Sequence, residues 1–196
     1  TLCKLHPELL GREVAGIVLE NTTHTNPLRT MIFAPLFTAL RRPVIEPLSR
    51  LAIVLNPLVW LLNWQGYLSG STHLAMRVGG FGTRPTRGQL NQVALLATVN
   101  SPAVQSKGHL AMFRWDVTEA LPATRAPALV FVGGRDIVTL PRAGERIARA
   151  IPGARLIRMP EAGHMGPVEL PTHYNAAIRE FAGEVLRAPS SIVAAE

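Results

Sequence analysis

Two residues in this 196-residue chain combine reactive side chains with a setting that exposes them. Asp136 stands in "VGGRDIV" and His164 in "EAGHMG", each just behind a short apolar run and each beside glycines. Gly133 and Gly134 allow a sharp turn at a strand's end, and open α/β sheets hold their ligands at the carboxyl ends of their strands. A carboxylate and an imidazole from neighbouring loops at that edge make up two thirds of a nucleophilic triad. The carboxylate fixes one ring nitrogen and leaves the other as a general base. Taken singly, an aspartate after Gly-Gly is most often a turn residue, and a histidine among glycines a polar loop residue. In this order, on consecutive apolar runs and 28 positions apart, the pair points to proton transfer.

Strands and helices must carry these two loops. "VAGIVLEN" (14–21), "PALVFVGG" (127–134) and "ARLIRMP" (154–160) are apolar runs of the kind that parallel strands show when both faces are covered. Between the second and third, "LPRAGERIARAIPG" reads as a helix. Pro141 suits its first turn, Ala143, Ile147 and Ile151 recur at helical spacing, and Pro152-Gly153 ends it. After the third run comes "PTHYNAAIREFAGEVLR", with Thr172 as the expected N-cap and Tyr174, Ile178, Phe181 and Val185 as one apolar stripe. This alternation predicts an α/β fold with a parallel sheet and flanking helices.

The middle of the chain follows another pattern. Residues 1–28 hold two basic and three acidic side chains, residues 29–115 nine and one, and residues 116–196 nine of each, so the net charge of +7 belongs to the middle. Yet residues 51–76 hold no Asp, Glu, Lys or Arg, and "LAIVLNPLVWLLNW" (51–64) is nearly all apolar. A membrane-spanning helix needs about 20 apolar residues, and this stretch is interrupted by Asn56, Pro57 and Asn63. Pro35, Pro43, Pro47 and Pro57 are expected to cut the region into short helices. An inserted helical cap over an α/β core is the expected arrangement. The predicted division is core at 1–28, cap at 29–100, core at 101–187 and a frayed tail at 188–196. The basic residues are scattered among Leu, Val and Trp without a basic helix, aromatic RNA-binding run or zinc-finger spacing, which argues against a nucleic-acid partner.

The stretch from Ala126 to Phe181 resembles the C-terminal third of an α/β-hydrolase-fold enzyme. In that family a Gly-x-x-Asp loop after the penultimate strand supplies the triad acid, which falls on Asp136. The Gly-His after the last strand supplies the base, which falls on His164. "HPELLGREVAGIVLENTTHTNP" resembles the end of the helix behind the nucleophile elbow, the next strand and the loop into a cap. The family's nucleophile sits in Gly-x-Ser-x-Gly, and no such pentapeptide occurs here; "GYLSGS" (66–71) has the wrong spacing and lies in the predicted cap. The resemblance therefore implies an elbow roughly ten residues before Thr1, and a chain that begins mid-protein. Residues 1–196 alone are expected to fold poorly and to lack hydrolase activity.

What the resemblance implies is a serine-type hydrolase of carboxylic ester or related acyl bonds on hydrophobic substrates, with no metal or organic cofactor. The alternatives are an epoxide hydrolase or dehalogenase with an Asp nucleophile, and a non-catalytic lipid- or partner-binding module on the same scaffold. An apolar, basic cap further implies peripheral contact with an anionic membrane, set against plain burial of its apolar face on the core. A cytoplasmic or peripheral-membrane location is expected, with no leader in this stretch of sequence. His24, in "NTTHTNP", follows the first strand and is a weaker candidate for the pocket wall, with a loop role as the alternative. Met165 beside His164 is a second wall candidate, with packing as its alternative. His6 and His173 are expected on the first and last helices, and His73 and His109 have no acid or ligand partner nearby in sequence. Cys3 is the only cysteine, so the chain has neither an internal disulfide nor a cysteine zinc site.

Overall fold

Ala128–Gly133 forms the most buried strand among the described residues, β2, with every residue buried. The computed structural model describes residues 2–83 and 85–187. β1 (Ile17–Glu20) and β3 (Arg155–Met159) flank β2 in a three-stranded sheet of order β1-β2-β3. Both pairings are parallel, with Ile17 opposite Ala128, Glu20 opposite Phe131, Leu129 opposite Arg155 and Gly133 opposite Met159. A strand covered on both faces need not alternate apolar with polar residues, which is why β2 is an unbroken apolar run.

Successive residues of β2 feed two cores. Ala128 and Val130 pack with Val117, Leu121, Ile147 and Ile151 on one face. Leu129 and Phe131 pack with Ala162, Tyr174 and Phe181 on the other, where the Phe131 and Tyr174 rings stack with centroids 4.6 Å apart. The first face is covered by α8 (Pro141–Ala150), which buries Ala143 and Ile147 of the expected stripe, with Ile151 buried just past its end. Gly144 lets α8 lie against β2, since a Cβ there would overlap the Val132 side chain. The second face is covered by α10 (Pro171–Arg187), preceded by the single turn α9 (Gly166–Glu169). α10 begins at Pro171, so Thr172 lies inside the first turn rather than capping it. Proline is well suited to that first position, where its missing N–H has no intrahelical partner to lose.

The chain opens with a short α1 (Leu2–Leu5) and a 3₁₀ turn at Pro7–Leu9, and His6 stands between the two rather than on the helix. Between β1 and β2 the structure is helical. α2 (Ala34–Leu40) and α3 (Glu46–Val54) are followed by α4 (Asn56–Leu68), α5 (Ser71–Gly79), α6 (Arg87–Val99) and α7 (Pro102–Met112). The prolines do not cut this region as expected. A π-helical turn at Arg41–Ile45 joins α2 to α3, so the helix runs unbroken from Ala34 to Val54. Pro43 can donate no backbone hydrogen bond and crowds the preceding turn. The chain responds by widening one turn, in which the Glu46 N–H reaches five residues back to the Arg41 carbonyl. Pro57, by contrast, does mark a break: it sits in the first turn of α4, whose axis bends 101° from the preceding helix. Among the described residues no single helix is long and apolar enough to cross a membrane. Residues 188–196, the predicted tail, lie outside the described residues.

Candidate active site

Asp136 and His164 meet at the carboxyl edge of the sheet. After β2 the turn is closed by hydrogen bonds from the Gly134 N–H to the Met159 carbonyl, and from the Arg135 N–H to the Ala162 carbonyl. The Asp loop is thus tied to the His loop before either side chain is considered. Asp136 is almost wholly buried, at 1% exposure. Its Oδ1 accepts the N–H groups of Val138 (2.8 Å) and Thr139 (2.7 Å). Its Oδ2 lies 2.7 Å from the Thr139 hydroxyl and 3.0 Å from His164 Nδ1. An ionised carboxylate only accepts, so this contact puts the imidazole proton on Nδ1 and leaves the Nε2 lone pair free. The His164 side chain is 29% exposed, and Nε2 has no hydrogen-bond partner among the described residues. A buried acid, an oriented ring and an open nitrogen are the parts of a general base.

Three further residues, none of them read from the sequence as part of the site, hold this pair in place. Asn21, the residue after β1, has φ of +41°, a conformation that asparagine adopts more readily than most residues. Its amide donates to the Gly163 carbonyl at 2.9 Å and to the His164 carbonyl at 3.2 Å, and its own carbonyl lies 2.7 Å from the Thr139 hydroxyl. Tyr174, buried on α10, donates to Asn21 Oδ1 at 3.4 Å. Burial, with the negative charges of Glu20, Asp136 and Glu169 adding to it, pushes the phenol up to about 12 despite that hydrogen bond.

Glu169 is the third, a buried carboxylate on α9. It accepts from Gly163 N–H (2.9 Å), Gly82 N–H (3.0 Å), and both the N–H and hydroxyl of Thr83. Burial alone would raise its pKa, but these donors outweigh that effect and hold the carboxyl below its ordinary value. Gly82 and Gly163 face each other so closely that a Cβ on either would overlap the other's backbone. The helical segment between β1 and β2 is therefore fastened to the residue just before His164. The only sequence signals were an asparagine after a strand and an acid five residues past the histidine, and neither identifies a partner.

The weaker candidates lie apart from the pair or beside it. His24 is buried after β1, where its carbonyl accepts from Val117 N–H, and it has no hydrogen bond to Asp136 or His164. Met165 donates its N–H to the Gly80 carbonyl at 2.8 Å and lays its side chain against Gly80. His6 pairs with Glu8 at 3.3 Å and His73 with Asn91 at 3.2 Å, both exposed. Among the described residues no three His, Cys, Asp or Glu side chains converge as metal ligands would.

Solved structures share this fold. A thermophilic esterase from Thermogutta terrifontis superimposes with a TM-score of 0.60 over 87% of this chain and 56% of its own, at 25% identity. The chain belongs to the α/β-hydrolase fold. No protein-family model matches it. A putative non-heme bromoperoxidase, BpoC, of Mycobacterium tuberculosis is 41% identical over 71 residues, which are 35% of this chain and 27% of that protein. A pimeloyl-[acyl-carrier protein] methyl ester esterase of Neisseria meningitidis is 33% identical over 95 residues, or 48% of this chain and 30% of the esterase. The matches thus span about a third or less of these curated relatives.

Proposed function

We propose that this chain is the C-terminal part of a hydrolase of carboxylic esters or related acyl bonds, with His164 as general base and Asp136 as the acid that orients it. The observation that carries the reading is the 3.0 Å contact between a buried carboxylate and an imidazole whose second nitrogen is open. A serine supplied by residues upstream would attack the substrate carbonyl while Nε2 takes its proton. The imidazolium, stabilised by Asp136, would return that proton to the departing alkoxide. Water would then hydrolyse the acyl-enzyme by the same relay. The Neisseria relative and the Thermogutta structural neighbour, both esterases, favour acyl over alkyl chemistry. β1 pairs only with β2 among the described residues, in keeping with further strands of the fold lying beside it.

The substrate class proposed is small and hydrophobic, and peripheral membrane contact through the helical segment belongs to the same proposal. Large apolar side chains stand exposed along α3 and α4, among them Val54 (76%), Leu61 (62%) and Leu68 (77%). The test of the hydrolase reading is labelling by a serine-directed fluorophosphonate. A longer form of the protein, extended upstream through the elbow, should label, and His164→Ala should abolish labelling while leaving the fold intact. Labelling of residues 1–196 at one of their own serines would overturn the assignment.

A further inference from the structure

α8 places Arg142, Arg146 and Arg149 on one face, at i, i+4 and i+7. With Arg29 they line an open surface cavity of about 420 Å³ whose wall also includes His24, and all four arginines are exposed. None of the four guanidinium groups has an ion pair or hydrogen bond among the described residues. Several arginines elsewhere do meet acids, Arg155 with Glu180 and Glu184, Arg158 with Glu145 and Arg135 with Glu161, while others such as Arg12 and Arg125 have no ion pair among the described residues. The acid of α8 itself, Glu145, is therefore turned away to Arg158. Asp116, the one carboxylate lining the cavity, is taken by the Thr25 hydroxyl (2.6 Å) and the Thr118 N–H (2.9 Å). His24, 4% exposed, has an Nδ1 with no partner at all among the described residues. Burial, then the positive charge of Arg146, hold its imidazole below the ordinary value, against the opposing pull of Asp116.

Like charges repeated along a helix face repel one another, and here four arginines line the cavity against a single carboxylate, Asp116. We propose that this cavity is a binding site for a phosphoryl-bearing ligand, a diphosphate group in the first instance. The guanidinium fork matches phosphoryl oxygens two at a time. From Arg142 to Arg149 the helix rises about 10 Å, longer than one phosphate and suited to two. The volume falls in the range of small-ligand pockets, too small for a folded partner. Neither Asp136 nor His164 lines the cavity, so the site is independent of the hydrolase reading.

The test is calorimetric titration of the full-length protein with sodium pyrophosphate at fixed ionic strength. Wild type should bind saturably at one site. The double variant Arg142→Gln, Arg146→Gln should bind at least tenfold more weakly, while Arg179→Gln on α10 should match wild type. The His24 imidazole, followed by NMR, should titrate at higher pH when pyrophosphate is bound. Vesicles containing phosphatidic acid should displace pyrophosphate if the natural ligand is a lipid headgroup, and should leave it bound if the ligand is a soluble diphosphate. Equal affinity in all three proteins, or no saturable binding to wild type, would overturn the proposal.

Discussion

The side-chain amide of Asn21 holds His164 by its backbone, donating to the histidine carbonyl at 3.2 Å and to the Gly163 carbonyl at 2.9 Å. The two residues belong to opposite edges of the sheet, with β2 between them. The imidazole is therefore placed by the far strand as well as by its own loop. Asn21→Gly keeps the positive φ but removes both donors. It should destabilise the fold by about 1–3 kcal/mol, the cost of leaving buried polar groups unpaired, and slow fluorophosphonate labelling. Denaturant melts beside labelling rates would check it; unchanged values of both would show that Asn21 does not position the histidine.

Asp136→Asn separates charge from shape. The two backbone N–H groups at Val138 and Thr139 will claim the amide oxygen, which turns the NH₂ toward His164 Nδ1. The ring must then accept at Nδ1 and carry its proton on Nε2, the wrong tautomer for a base. Ester turnover in the full-length enzyme should fall by roughly 10⁴-fold with the fold retained. Near-normal turnover would remove Asp136 from the triad.

Glu169 links stability to acid pH. Its carboxyl is held below the ordinary 4.5 in the folded protein, so the unfolded chain binds the extra proton first as pH falls. The stabilisation is fully present above about pH 5 and is lost as pH drops through the folded value. Denaturation midpoints measured from pH 7 to pH 3 should fall in the acid range. Glu169→Gln should start lower, by about 1–3 kcal/mol, and show a flatter slope. A variant with the wild-type slope would place the acid sensitivity elsewhere.

Membrane contact makes a separate prediction. The exposed leucines of α3 and α4 stand beside a segment whose charge is strongly positive, so the full-length protein should prefer anionic over neutral vesicles. Added salt should weaken that preference, since charges are screened within about 10 Å at 0.1 M. The pair Leu61→Ser and Leu62→Ser should reduce binding by about a hundredfold or more, given roughly 1.5–3 kcal/mol for burying each leucine. Co-sedimentation would measure this, and equal binding to both vesicle types would leave the segment with no interfacial role.

What the sequence disclosed follows from which interactions are local. β2 and α8 were legible because an unbroken apolar run, a first-turn proline and a terminal Gly153 at φ +70° each act within a few residues. Asp136 and His164 were legible because glycines announce the loops that bear them. The supports of that pair were not: Asn21 bonds across 143 residues to His164, and Glu169 across 87 to Gly82. Proline spacing misled for a related reason. The cost of Pro43 is absorbed by one widened turn, a remedy that composition alone does not foretell.

The fastening at Glu169 also bears on protein engineering. Exchanging the helical segment between β1 and β2 for one from another hydrolase is an obvious route to new substrates. Such a graft would remove the Gly82 and Thr83 donors and leave the buried carboxylate with the Gly163 N–H, at 2.9 Å, as its one remaining donor among the described residues. A carboxylate stranded in that way either takes up a proton or drags Gly163 toward water, and His164 is the next residue along. Chimeras that carry the recipient's own Gly80–Thr83 turn across the junction should keep the histidine in register. Those that cut inside it would displace the imidazole without a single change to Asp136 or His164.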